Sequence, residues 1–237
     1  MYTEGLDAVK LKIAKALDRR VGALLTGSTV KVVAVTKNHP PETVADAFAN
    51  GFSLVGENRV QEALHKQKYL AEQGIKLEGL HWHLIGHLQT NKVRQAVGVF
   101  DLIESVDSQR LLELVDQEAR RINKVQDILL QINIAEEPQK SGFSVDAYRE
   151  VLPHMGDCPN LHVRGLMVIA PAAEDVETVR PVVRKGYELF KELSETHSVD
   201  ILSMGMTNDF EVAIEEGANQ VRLGRLLFGE RDYSLKF

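Results

Sequence analysis

The 237-residue chain has one cysteine, one tryptophan and an aromatic share of only 6%. A lone thiol, Cys158, excludes a disulfide within the chain and fits a reducing compartment. It falls in the turn-like stretch Gly156-Asp157-Cys158-Pro159 and reads as a spare thiol rather than a nucleophile. No apolar run approaches the ~20 residues that span a membrane. The N-terminal stretch alternates charged and apolar residues (Val9-Lys10-Leu11-Lys12-Ile13), which argues against a signal peptide. A soluble, cytoplasmic protein is expected. There is no basic stripe, and the net charge is −6, so backbone-driven nucleic-acid binding is not expected. Low-complexity tracts and linkers rich in Pro, Gly or Ser are also missing, so residues 1–237 read as a single domain.

What is present is an ordinary globular balance, 44% hydrophobic and 26% charged, with regular alternation of short β-branched runs and longer helical patterns. Strands are expected at 30–36, 52–55, 80–85, 99–103, 126–134, 162–168, 200–203 and 220–223. A helix is expected over 3–25, where Leu6, Val9, Ile13, Ala16, Leu17 and Val21 share one face. Further helices are expected from Pro40-Pro41-Glu42, over 57–73, and near 89–97, 108–124, 144–154, 175–196 and 208–217. Strict alternation implies parallel strands with crossover helices. Eight such units in a chain close to the about 250 residues of that fold predict an α/β protein, a single parallel (β/α)8 TIM-type barrel with an extra N-terminal helix. An open doubly wound sheet is the alternative. After residue 223 little chain remains for a last helix, so the N-terminal helix is expected to cover that part of the wall.

In this fold the chemistry lies at the C-terminal ends of the strands. Strand one ends in Lys37. Burial there would lower the amine's pKa and free it to attack a carbonyl, although position alone favours a lysine that snorkels to solvent. The loops after strands seven and eight shift that balance, because they often form a phosphate site. Here they carry Gly205, Thr207 and Asn208, and then Gly224. Asn208 with Glu211 resembles a capping box at a helix start. Arg222 shares a strand face with Gly224 and needs a partner: a barrel carboxylate or a ligand atom. His81 and His83 share one strand face, but core or supporting roles are favoured over a metal.

The stretches Ala34-Val35-Thr36-Lys37, Gly56-Glu57-Asn58-Arg59-Val60-Gln61-Glu62, Trp82-His83-Leu84-Ile85-Gly86-His87, Ser141-Gly142-Phe143, Ser203-Met204-Gly205-Met206-Thr207-Asn208-Asp209 and Val221-Arg222-Leu223-Gly224 run from the first strand to the last. On them the chain resembles the pyridoxal phosphate homeostasis protein family, which shares its barrel with the N-terminal domain of alanine racemase. The resemblance implies pyridoxal 5′-phosphate as cofactor, held as a Schiff base on Lys37. It implies that Ser203, Thr207 and Gly224 help bind the phosphate, that Arg222 faces the pyridine nitrogen, and that Asn58 lies near the ring. Met206 belongs to the same cofactor-binding set. Thr207 stands where the family usually has serine and keeps the hydroxyl. Arg225 stands where the family has a small hydroxyl residue, so a phosphate contact there would be by charge.

An arginine at the pyridine nitrogen disfavours its protonation and weakens the ring as an electron sink. Alanine racemases add a second domain and a tyrosine base from a partner subunit, for which the chain ending at Phe237 leaves no room. The expectation is therefore a monomeric carrier or regulator in vitamin B6 homeostasis, without robust catalysis, with apo-enzymes dependent on pyridoxal phosphate as its possible recipients. A racemase-type enzyme with His83 as base, and a Schiff-base aldolase, are the rival readings.

Overall fold

The computed structural model describes residues 2–20, 26–171 and 175–230, with side chains from residue 6 onward. Eight parallel strands close in sequence order: β1 (Lys31–Val35), β2 (Leu54–Glu57), β3 (His81–Leu84), β4 (Leu102–Val106), β5 (Gln126–Ile132), β6 (Leu161–Val168), β7 (Ile201–Ser203) and β8 (Gln220–Leu223). β1 pairs with both β2 and β8, in register Ala34 with Val55 and Val33 with Arg222. This is the expected (β/α)8 barrel.

Helices follow the strands: α1 (Tyr2–Asp18) before β1, then α2 (Glu42–Ala49), α3 (Val60–Glu72), α4 (Val93–Val99), α5 (Gln109–Arg121), α6 (Val145–Val151), α7 (Arg180–Ser194), α8 (Phe210–Glu215) and α9 (Arg225–Phe228). The helix expected over 3–25 ends at Asp18, and residues 21–25 lie outside the described residues. α9 was not foreseen. α1 packs against α8 and α9, as expected of a helix covering that part of the barrel wall. No helix among the described residues is long and apolar enough to cross a membrane.

Alternation along each strand sorts the side chains. Ala34 and Val55 face outward into the large core between barrel and helices, while Leu102, Leu129, Met167 and Ile201 form a separate cluster. Two strands are displaced along the chain by two residues or more at both ends. β2 sits two residues later than expected and contains Gly56. A Cβ there would come within 2.8 Å of Val33 Cγ1, so the smallest residue is needed in mid-strand. β4 begins at Leu102 because Val99 still belongs to α4, and it continues through the fully buried Glu104 and Ser105.

Candidate functional site at the barrel mouth

A cavity of about 880 Å³ is lined by Lys37 just beyond β1, Asn58 just beyond β2, and residues that follow β7 and β8. Its size falls in the range of roughly 300–1,000 Å³ common for small-molecule sites. Of the eight residues expected at a site, Lys37, Asn58, Met206, Thr207, Arg222, Gly224 and Arg225 line it together. Val35, two residues before Lys37, lines it too, so this face of β1 looks inward. Asn58 is seated on Gly86, where a Cβ would lie 2.5 Å from the Asn58 carbonyl oxygen.

Ser203 is the exception and is absent from the wall. It is fully buried, and its hydroxyl donates to Glu104 Oε2 at 2.6 Å while accepting from Arg222 Nη1 at 2.7 Å. The residue that ends β7 therefore points at its neighbours in the barrel and serves Arg222 instead of the cavity. Arg222 also donates to the carbonyls of Ser203 and Val168, at 2.9 Å each, and its Nη1 lies 3.9 Å from Glu104 Oε2. Of the two partners considered for Arg222, the barrel carboxylate is at hand, and the side chain also lines the cavity in which a ligand atom would lie. Burial pushes its guanidinium pKa down, with Glu104 and Asp209 opposing. Burial also pushes Glu104 up, but His83 at 2.8 Å, Arg222 and Ser203 together hold it below the usual carboxylate range.

The loop after β7 is built differently from the expectation. Gly205, at φ +92°, lets the chain turn where a Cβ would strike Phe210 Cα at 2.7 Å. α8 starts at Phe210, and its N-cap residue Asp209 makes no side-chain cap bond, so the Asn208–Glu211 capping box does not form. Asp209 Oδ1 accepts the Met206 N–H at 2.7 Å instead. The backbone N–H groups of Thr207 and Asn208 have no acceptor among the described residues, and both residues line the cavity. Donors left over in a cavity wall suit an anion.

The histidines divide by role. His83 is buried against Glu104 and is not part of the wall, which removes it as the base of a racemase-type site. His81 is half-exposed near Asp101, and no group of three or more potential metal ligands occurs among the described residues. His87 does line the cavity, with Nδ1 2.8 Å from Asp107 Oδ2 and 3.2 Å from Ser141 Oγ. Cys158 is buried, and burial pushes its thiol up to about 11, as befits a packing residue.

A buried charge cluster behind β1 was missed. Lys66 Nζ, on α3, donates to Glu57 Oε1 at 2.7 Å, to Glu62 Oε1 at 2.9 Å and to the Thr36 carbonyl at 2.6 Å. A signal existed: Glu62 and Lys66 stand at i and i+4 beside the apolar Val60, Ala63 and Leu70, a charge pair on the face the helix buries.

A family described as the alanine racemase N-terminal domain matches residues 14–232. The pyridoxal phosphate homeostasis protein of Aquifex aeolicus is 43% identical, over 97% of this chain and 98% of its own. That of Haemophilus influenzae is 37% identical over 87% of each. The structure of PipY from Synechococcus elongatus with PLP bound superposes with a TM-score of 0.82 at 34% identity, covering 97% of this chain and all of that one. An alanine racemase of Clostridium difficile superposes at 0.68 with 14% identity over 56% of its length, a likeness of fold alone.

Proposed function

The chain belongs to the pyridoxal phosphate homeostasis protein family, and from that premise we propose that it binds pyridoxal 5′-phosphate at the barrel mouth and holds it as a Schiff base on Lys37. The observation that carries this reading is the convergence of Lys37, Arg222, Thr207 and Gly224 on one cavity, with leftover loop amides beside Thr207. When bound, the cofactor supplies an aldehyde carbon for an amine and a conjugated ring that accepts electron density.

In this reading Lys37 would hold the cofactor covalently through its amine, which lines the cavity. Thr207, Gly224 and Arg225, with the loop amides, take the phosphate. Met206 and Asn58 flank the ring. Arg222 would face the ring nitrogen and, as a cation, would keep that nitrogen unprotonated. That favours storage over carbanion chemistry. We therefore read the protein as a cytoplasmic, monomeric carrier in vitamin B6 homeostasis that hands its cofactor to apo-enzymes. His87, oriented by Asp107, is a feature that favours a racemase-type enzyme, which would exchange an amino acid's α-proton with solvent.

The test is the visible spectrum of purified protein before and after borohydride, for wild type and Lys37→Ala. The expected result is a yellow band that reduction bleaches and the variant lacks. A wild type that retains no visible band after incubation with pyridoxal phosphate and removal of the free compound rules the reading out.

A further inference from the structure

The Glu57, Glu62 and Lys66 side chains are at most 1% exposed and line no part of the cavity, yet all three converge on the peptide that carries Lys37. The residue before it is held twice: the Thr36 carbonyl accepts from Lys66 Nζ at 2.6 Å, and the Thr36 hydroxyl donates to Glu57 Oε1 at 2.6 Å. The residue after it is held once: the Asn38 backbone N–H donates to Glu62 Oε1 at 2.6 Å. Asn38 has a left-handed backbone, φ +56°, which an isolated chain end would relax. A buried ion cluster is a poor source of stability compared with apolar packing, because its desolvation offsets its attraction. It is a good source of fixed geometry, since charge-assisted hydrogen bonds are short and directional.

From this geometry we propose that Glu57, Glu62 and Lys66 are positioning residues for Lys37: they clamp the peptides on both sides of it from outside the barrel wall, so that its amine stands in the cavity where an aldehyde must be met. The inference rests on the reading of Lys37 as the Schiff-base lysine. Thr36 and Lys37 point to opposite sides of the strand end, so a clamp on the outer side fixes where the inner side chain begins. Glu62 is the member whose removal frees one flank while leaving Glu57 and Lys66 paired.

Two variants separate reach from charge. Glu62→Gln keeps an acceptor oxygen at the same distance from the Asn38 N–H and loses the charge. Glu62→Asp keeps the charge and withdraws the oxygen by one methylene. Each full-length protein, stripped of cofactor and shown folded by near-ultraviolet circular dichroism, is mixed with pyridoxal phosphate, and the growth of the visible band is timed. A nucleophile displaced by a fraction of an ångström loses rate steeply, so Glu62→Asp should slow the band by about tenfold or more while Glu62→Gln stays within about threefold of wild type. Equal rates in the two variants, or a slower Glu62→Gln, overturn the proposal. A wild type that develops no band refutes the Schiff-base reading beneath it, a result distinct from either.

Discussion

At Arg222 a guanidinium only 4% exposed is held by two carbonyls and the Ser203 hydroxyl, with Glu104 at the edge of contact and the cavity beyond. Such a cation stays buried because the barrel gives it an anion, and the anion stays because of the cation. Arg222→Met should therefore cost roughly 3–5 kcal/mol in urea unfolding, since it leaves Glu104 with one fewer compensating charge. The double variant Arg222→Met, Glu104→Gln should recover part of that loss; a single-variant loss under about 1 kcal/mol would show that Glu104 is already satisfied by His83 and Gln220. Lys37, Arg222 and Gly224 were legible in the sequence because a strand-end position in this fold points toward the mouth. Ser203 was not. A hydroxyl at a strand end serves a ligand or a neighbouring side chain equally well, and only the arrival of Glu104, 99 positions away, decides it. Lys66 was hidden for the same reason, its anchor at Thr36 lying 30 residues away on another element.

Among the elements, β6 and β7 depend on a single missing side chain. Gly165 sits in β6 at φ +146°, and a Cβ there would land on the Ile201 carbonyl oxygen of β7. Gly165→Ala combines a backbone strain with a collision against backbone that has no rotamer to escape through. It should lose at least about 3 kcal/mol of unfolding free energy or fail to accumulate folded. Gly98, in α4, has open space around its missing Cβ, so Gly98→Ala should instead gain roughly 0.5–1 kcal/mol by reducing the freedom of the unfolded chain. Thermal unfolding of the pair checks both signs, and a neutral Gly165→Ala would mean that β6 and β7 slide apart without penalty. The order and kind of elements were legible because apolar period alternated cleanly between strand and helix. Boundaries were less so where residues broke the usual propensity for a physical reason. Gly56 continues β2 because the barrel interior is crowded there, and Glu104 continues β4 because its charge is answered from β3 and β8. The turn before α8 looked like a capping box, but Asp209 took the Met206 N–H and moved the helix start to Phe210.

On the scale of the whole molecule, closure of the barrel joins the first helix to the last elements. Arg20, just past α1, donates to the Ile214 carbonyl, and Arg19 pairs with Glu215 at 2.6 Å, a half-exposed contact that adds little by itself. The cluster behind β1 has a larger reach, because its protons are linked to folding. Burial pushes Glu57 from an ordinary value of 4.5 up to about 7, with the attraction of Lys66 opposing. Below pH 4.5 folded and unfolded chains both hold this proton. Between pH 4.5 and 7 the unfolded chain releases it while the folded chain keeps it, so the folded state binds more protons and stability falls as pH rises, levelling off above about 7. Other carboxylates slope in their own ways, but they cancel when wild type is compared with Glu57→Gln, whose amide does not titrate. The stability of wild type relative to Glu57→Gln should therefore decline across that window by on the order of 3 kcal/mol and stay flat on either side. Denaturant unfolding at half-unit pH steps measures the difference directly. A difference that is constant across the window would mean that Glu57 is ionised in the folded protein throughout. The barrel wall behind Lys37 would then carry a net negative charge, rather than the balance of Lys66 against Glu62 that a protonated Glu57 leaves.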